Sequence, residues 1–358
     1  MAELVFVLAD FPSVPGGAGD GGDAPAGTPR LPQLETLLAR ARVAPLATDW
    51  RGWLAAHASS GALLPPTPAA TVAAAWELRG AAGREREQVW LASPVHYFAG
   101  LDSVHLHPAG LLRLERAEQH ALAVDFARVF ADSPWTLRAF DRRELLLWGP
   151  AIAASGADPA LYAGSDPSPG LPRGEGAGAL RGLGAEIEMW LYEHPLNLER
   201  RGRGELPVTT LWLWGANTHS GATSPVRAAP PARPSRQALL ARPARAARAA
   251  QLYGRDTFAE ALWRLQGDTI QPLPESMDGV PIDTDADHIV LLPLGRPEGL
   301  ISALQQFEQH WLPGAWRALR GRRVTRLTLL IGTRSYQLRW PQLVRFWRAR
   351  RPWWEILA

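Results

Sequence analysis

The sequence predicts an α/β protein built on a central, mostly parallel sheet flanked by helices, with a smaller α+β portion. Three observations predict it. The chain opens on a continuous apolar run, Leu4–Ala9, that suits a strand buried on both faces. Segments of helical period alternate with short apolar runs along most of its length. Two late runs, Ile289–Leu294 and Val324–Ile331, repeat the buried-strand pattern on either side of a helical stretch at 298–320.

After the first strand, residues 12–30 are Gly/Pro/Asp-rich and read as a loop. Leu31, Leu34, Leu37, Leu38 and Ala41 then fall at helical spacing. Further helices are expected near Trp50–His57 and at 71–80. Gln88–Tyr97 and Ser103–Leu106 read as strands, Leu114–Phe130 as a helix, and Leu137–Phe140 with Glu144–Trp148 as a hairpin-like pair. A Gly/Pro/Ser/Asp-rich stretch at 155–178 precedes a helix at Leu180–Tyr192. Leu211–Trp214 reads as a buried strand and 216–250 as a basic, low-complexity loop. A helix at 254–266, a Pro/Asp-rich loop at 270–286, a strand at Tyr336–Trp340 and a closing helix at Leu343–Arg351 complete the pattern. Residues 1–87 with 186–358 are expected to form the core, and 88–185 the insertion.

Composition narrows the chemistry. The 358 residues are 46% hydrophobic, enough for a large core. Without Cys there is no disulfide framework, thiol nucleophile or Cys metal site. All 38 basic side chains are Arg, so no Lys can serve as a Schiff-base nucleophile. No run approaches the roughly 20 apolar residues that span a bilayer. The N-terminus lacks a basic n-region and reads as a strand, so a cytoplasmic protein is the default expectation.

Residues 186–215, EIEMWLYEHPLNLERRGRGELPVTTLWLWG, gather His194, Asn197, Arg200, Arg201 and Arg203 just before a Trp-rich strand ending at Gly215. Guanidinium, amide and imidazole groups are donors for an anion. An anionic small molecule or a protein partner is therefore the expected ligand. The alternative is a helix-to-strand corner, with His194 and Asn197 capping backbone and the arginines solvated. Pro195 favours a helix break there.

The pattern "HP-x-N-x-x-R…G…P…LWLWG" resembles the cofactor-independent phosphoglycerate mutases of archaeal type, in the alkaline phosphatase superfamily. It is closer still to the RpfE-type regulatory, phosphoglycerate mutase-like proteins. TPRLPQLETLLARARV, SPVHYFAGLDSVHL, YGRDTFAEALWRLQG and the Arg-rich ending are similar to segments of the same family. The resemblance implies an alkaline phosphatase-like sheet. Within it, a regulatory protein is expected to bind an anionic or phosphorylated ligand or a protein partner. It also brings His96, in the PVH segment, forward as a site residue.

Enzymes of that superfamily use two divalent metals, a Ser or Thr nucleophile, and Asp and His ligands on loops after the strands. Asp10 stands where the first Asp belongs. Ser13 and Thr28 flank the expected nucleophile loop without matching its motif. Asp287-His288 precedes an apolar run, whereas a site at the carboxyl end of a strand needs the run before it. Asp283, Asp285 and Asp287 lack the Gly turn and terminal Glu of a Ca²⁺ loop and read as solvated. His105 and His107 share a strand face and could form half of a zinc site. The expectation is thus an incomplete two-metal site with no cofactor; a divalent metal belongs only to the alternative of an active phosphomutase or phosphatase. A further alternative is nucleic-acid binding through Arg317–Arg351, which holds 11 Arg, no acid and interleaved Trp.

Overall fold

The computed structural model describes residues 2–9, 11, 28–46, 49–58, 65, 67–78, 87–100, 103–140, 142–216, 250–282, 286–293, 299–345 and 347–357. Asp10, Ser13, Asp283 and Asp285 lie outside the described residues, as does most of the basic stretch 216–250.

The main sheet takes β1 (Ala2–Ala9), β2 (Arg42–Pro45), and four strands from the second half of the chain. These are β10 (Ala250–Tyr253), β11 (Asp287–Pro293), β12 (Val324–Ile331) and β13 (Arg334–Arg339). Their order is β10-β11-β1-β12-β13-β2. The β10–β11, β11–β1 and β1–β12 pairs are parallel. Gly332, at φ +53°, turns the chain back into the antiparallel β13, which β2 extends.

Strand alternation sends β1 into two cores at once. Leu4, Phe6 and Leu8 pack with α1 (Pro32–Arg40), α8 (Leu300–Gln306) and α9 (Leu312–Arg320). Val5 and Val7 pack with α2 (Trp50–Ala58), α3 (Pro68–Ala75) and α7 (Thr257–Arg264). Five β1 residues from Leu4 to Leu8 are buried, as a central parallel strand requires. The continuous apolar run read from the sequence is this strand.

A second, antiparallel sheet comprises β3 (Glu87–Ala99), β4 (Val104–Leu111), β5 (Thr136–Arg138), β6 (Leu145–Pro150) and β9 (Thr210–Trp214). A two-stranded ribbon, β7 (Ala154–Ser155) with β8 (Arg173–Gly174), adjoins it. Its outer core is covered by α4 (Arg116–Val129), α5 (Ala177–Tyr192) and α6 (Pro195–Gly202). The boundary read at 185/186 falls inside α5, and β9 belongs to this second sheet.

The two sheets share a core in which Val5, Leu252 and Ile289 meet Leu91, Leu146, Trp212 and Trp214. Arg51, on α2, pins the seam. Its Nη1 pairs with Asp158 and its Nη2 lies 3.4 Å from Asp256 Oδ2. Its guanidinium stacks over Trp50 at 4.2 Å and Trp214 at 4.9 Å.

The closing segment departs from the sequence reading. A helix over Leu343–Arg351 does not form: Trp340–Val344 is a 3₁₀ turn, and the closing helix is α10 (Trp353–Leu357). Arg345 Nη1 and Arg348 Nη1 reach the carbonyls of Arg40 and Ala39 at the end of α1, so this stretch serves as a cap instead. Pro195 stands at the helix break that the sequence favours: α5 ends at Tyr192, and Pro195 starts α6 at the first helical position, where its missing N–H costs nothing.

Candidate functional site

Helix α6 holds the residues expected to bind an anion, and their polar atoms turn inward. His194 is the N-cap: its Nδ1 accepts from Leu196 N at 3.2 Å, and its Nε2 lies 3.1 Å from Asp125 Oδ2 on α4. Burial pushes the His194 imidazole below its ordinary value, and Asp125 opposes that shift only partly. A buried Asn197 donates to the carbonyls of Leu191 (2.7 Å) and Val208 (2.8 Å), while its Oδ1 accepts from Val208 N at 2.7 Å. It therefore ties α5, α6 and the approach to β9 together.

Arg200 is buried and its Nη1 lies 3.0 and 2.9 Å from the two oxygens of Glu118. Its Nε donates to Leu206 O at 2.8 Å. Arg203 Nη2 joins the same carboxylate at 2.6 Å, and Glu118 also accepts from Glu115 N at the start of α4. The anion that these arginines grip is thus a side chain of the same molecule. Arg201 points to solvent.

His96, on β3, is half-buried, with Nδ1 at 2.9 Å from Pro207 O, so Nδ1 carries the proton. Burial lowers its pKa, and His107 adds to the effect. His107 lies 5.6 Å from His96 ring to ring, and His105 stacks on Phe98. His107 Nδ1 accepts from Ala109 N, which leaves its proton on Nε2 and unsuits that nitrogen as a metal ligand.

Asp287 and His288 begin β11 and so sit at the amino end of the parallel strands, opposite the end where ligands bind. Asp287 Oδ1 accepts from Glu3 N at 2.8 Å, and His288 is buried with its ring stacked on Tyr253. Among the described residues, no group of three His, Asp or Glu converges as a metal centre would require. Among them too, no helix is long and apolar enough to cross a membrane.

Glu308 occupies the start of α1, the helix that follows the first strand. Its carboxylate accepts from Gln33 N (2.7 Å) and Leu34 N (2.9 Å), the position an anion takes at a helix N-terminus. It comes from a π-helical turn, Phe307–Trp311, between α8 and α9.

The arginines of the basic end are partly drawn into local contacts. Arg317 pairs with Asp278 at 2.8 Å, Arg326 Nη1 lies 3.5 Å from Glu3, and Arg320 and Arg322 cover Trp316 and Trp340.

What the sequence reading missed is a groove between α4 and α5. About 550 Å³ in volume, it is lined by Val129, Phe130, Asp132, Ser133, Glu186 and Trp190. Trp190 stands edge-on to Phe126 (5.7 Å), Phe130 (5.9 Å) and His194 (5.1 Å). A second hollow along α5 is lined by Glu188, Met189, Tyr192 and Glu193. Met189 is 70% exposed and Tyr192 76%, large values for residues with so much apolar surface. Every charged residue lining the two hollows is a carboxylate. The signal was present in the sequence: Glu186, Met189, Tyr192 and Glu193 share one side of a helix, but their outward direction was not legible without the partner elements.

No protein-family model matches the chain, and no curated protein matches it. Solved structures similar to it in outline include the following two. The cofactor-independent phosphoglycerate mutase of Thermoplasma acidophilum DSM 1728 matches with 14% identity over 94% of this chain and 89% of that one, at a TM-score of 0.35. The PH0037 protein of Pyrococcus horikoshii matches with 13% identity over 94% and 87%, at a TM-score of 0.40. Neither carries a residue or an activity over to this chain.

Proposed function

We propose that this chain is a phosphoglycerate mutase-like protein of the RpfE regulatory type that works by binding a protein partner, not by two-metal phosphoryl chemistry. The α4–α5 groove carries the reading: an aromatic floor and an acidic rim suit an amphipathic segment with Arg or Lys on one side and apolar groups on the other. The anionic-ligand form of the proposal is weaker, because Asn197 and Arg200 spend their donors on Leu191, Val208, Leu206 and Glu118. The family motif then acts as a latch that holds α5 and α6 against α4 and so shapes the groove.

Two placements support a reading without a two-metal centre: Asp287 and His288 sit at the amino end of the sheet, and Glu308 fills the α1 N-terminus. An active phosphomutase or phosphatase remains the alternative that the test must separate. Purified protein is assayed with a phosphoglycerate and with a generic phosphomonoester, with Mn²⁺ or Zn²⁺ added. The reading expects no metal-dependent turnover and measurable binding of a cationic amphipathic peptide. Turnover that rises with metal and is lost in Asp10→Asn would replace it with the enzyme.

A further inference from the structure

The C-terminal basic end presents apolar side chains to solvent in the middle of its arginines. Trp347 is 67% exposed, Val344 58% and Trp340 42%. All three lie in the segment 339–351, which carries Arg339, Arg345, Arg348, Arg350 and Arg351. No acidic residue occurs from Gln309 to Trp354. The segment is fixed to the body of the protein: Arg345 and Arg348 hold the last carbonyls of α1, and Arg40 Nη1 returns a bond to Leu343 O at 2.8 Å. Arg350 and Arg351 are exposed beyond these anchors.

We propose that this segment is a docking surface for an anionic lipid membrane. Indole rings settle at the level of lipid headgroups, and arginines beside them reach phosphates while their stems stay in apolar surroundings. Each Arg near an anionic leaflet adds to the attraction. Val344 favours lipid over nucleic acid, because an exposed aliphatic side chain gains by entering the acyl boundary and gains nothing from a phosphodiester backbone. Trp340 favours it too: the Arg322 guanidinium covers the ring at 4.2 Å, on a face that a stacking base would use. The surface is separate from the acidic α4–α5 groove, so the inference does not rest on the partner-binding reading.

The test is flotation of the full chain with phosphatidylcholine vesicles and with vesicles carrying 30% phosphatidylglycerol, at low and moderate salt. The full chain is expected to float only with the anionic vesicles and to be released by salt. Arg350→Glu with Arg351→Glu is expected to lower the partition by roughly tenfold or more. Trp347→Ser is expected to weaken it severalfold at unchanged charge. All three positions are exposed, and circular dichroism verifies that the variants fold. Absence of flotation overturns the proposal, as does flotation that Trp347→Ser leaves unchanged. Binding of a single-stranded oligonucleotide that the charge reversals abolish, without vesicle binding, would assign the surface to nucleic acid instead.

Discussion

Arg200 and Glu118 meet across 82 residues of chain, and both are buried. Without Glu118 the buried guanidinium keeps only the exposed Glu205, 3.3 Å from its Nη1, as a carboxylate partner. Replacing Glu118 with Gln is therefore expected to destabilise the fold by about 3 kcal/mol. The double change Arg200→Met, Glu118→Leu should cost less than the single one, because it removes both charges. Urea denaturation of the three proteins measures this; a double variant that loses more than the single one, as additive losses would give, would mean that the pair is not coupled.

Asn197 makes three backbone bonds that no apolar residue can replace. Asn197→Ala is expected to cost about 3 kcal/mol, since two carbonyls and one N–H lose a buried partner. Asn197→Asp should be worse, because a carboxylate would face the carbonyls of Leu191 and Val208. Midpoints of thermal unfolding give the order: wild type above Ala, Ala above Asp.

Glu144 is buried beside α7, and burial raises its carboxyl pKa. The Thr257 hydroxyl, which donates at 2.5 Å, and Arg143 offset only part of that rise, while Asp256 adds to it. The folded protein thus holds this proton more tightly than the unfolded chain does. The stability it contributes is complete below the ordinary glutamate value and is lost as pH rises through the raised one. Glu144→Gln should accordingly gain on the wild type as pH increases from about 4.5 upward. Denaturation at a series of pH values tests the sign, and a variant that loses ground with rising pH would contradict it.

Glu308 caps α1 through the N–H groups of Gln33 and Leu34. Glu308→Ala is expected to cost about 1–2 kcal/mol and to raise amide exchange at those two positions first. Uniform exchange across the chain would place the loss elsewhere.

The sheet was legible because its strands are buried on both faces: β1, β11 and β12 need no partner to be recognised as apolar runs. The edge strands β2 and β10 were not, since RVAP and AQLY are short and their pairing with β13 and β11 is set by tertiary contact. At α6 the residues singled out are the ones that organise the region, yet the sequence left open what they hold. Whether Arg200 faces solvent or Glu118 depends on α4, 82 residues earlier. Pro195 was legible as a helix break, and α5 does end just before it; that Pro195 also begins α6 was not, because one residue type does both and only its position decides. The groove depends on which side of α5 the second sheet covers, and pattern alone does not give that.

The most direct measurement is fluorescence anisotropy of a labelled cationic amphipathic peptide titrated with the wild type, Glu186→Lys and Trp190→Leu. The groove reading predicts saturable binding to the wild type and a loss of tenfold or more in each variant, at unchanged thermal stability for the exposed Glu186→Lys. Equal affinity for all three proteins, or no binding to the wild type, would contradict it.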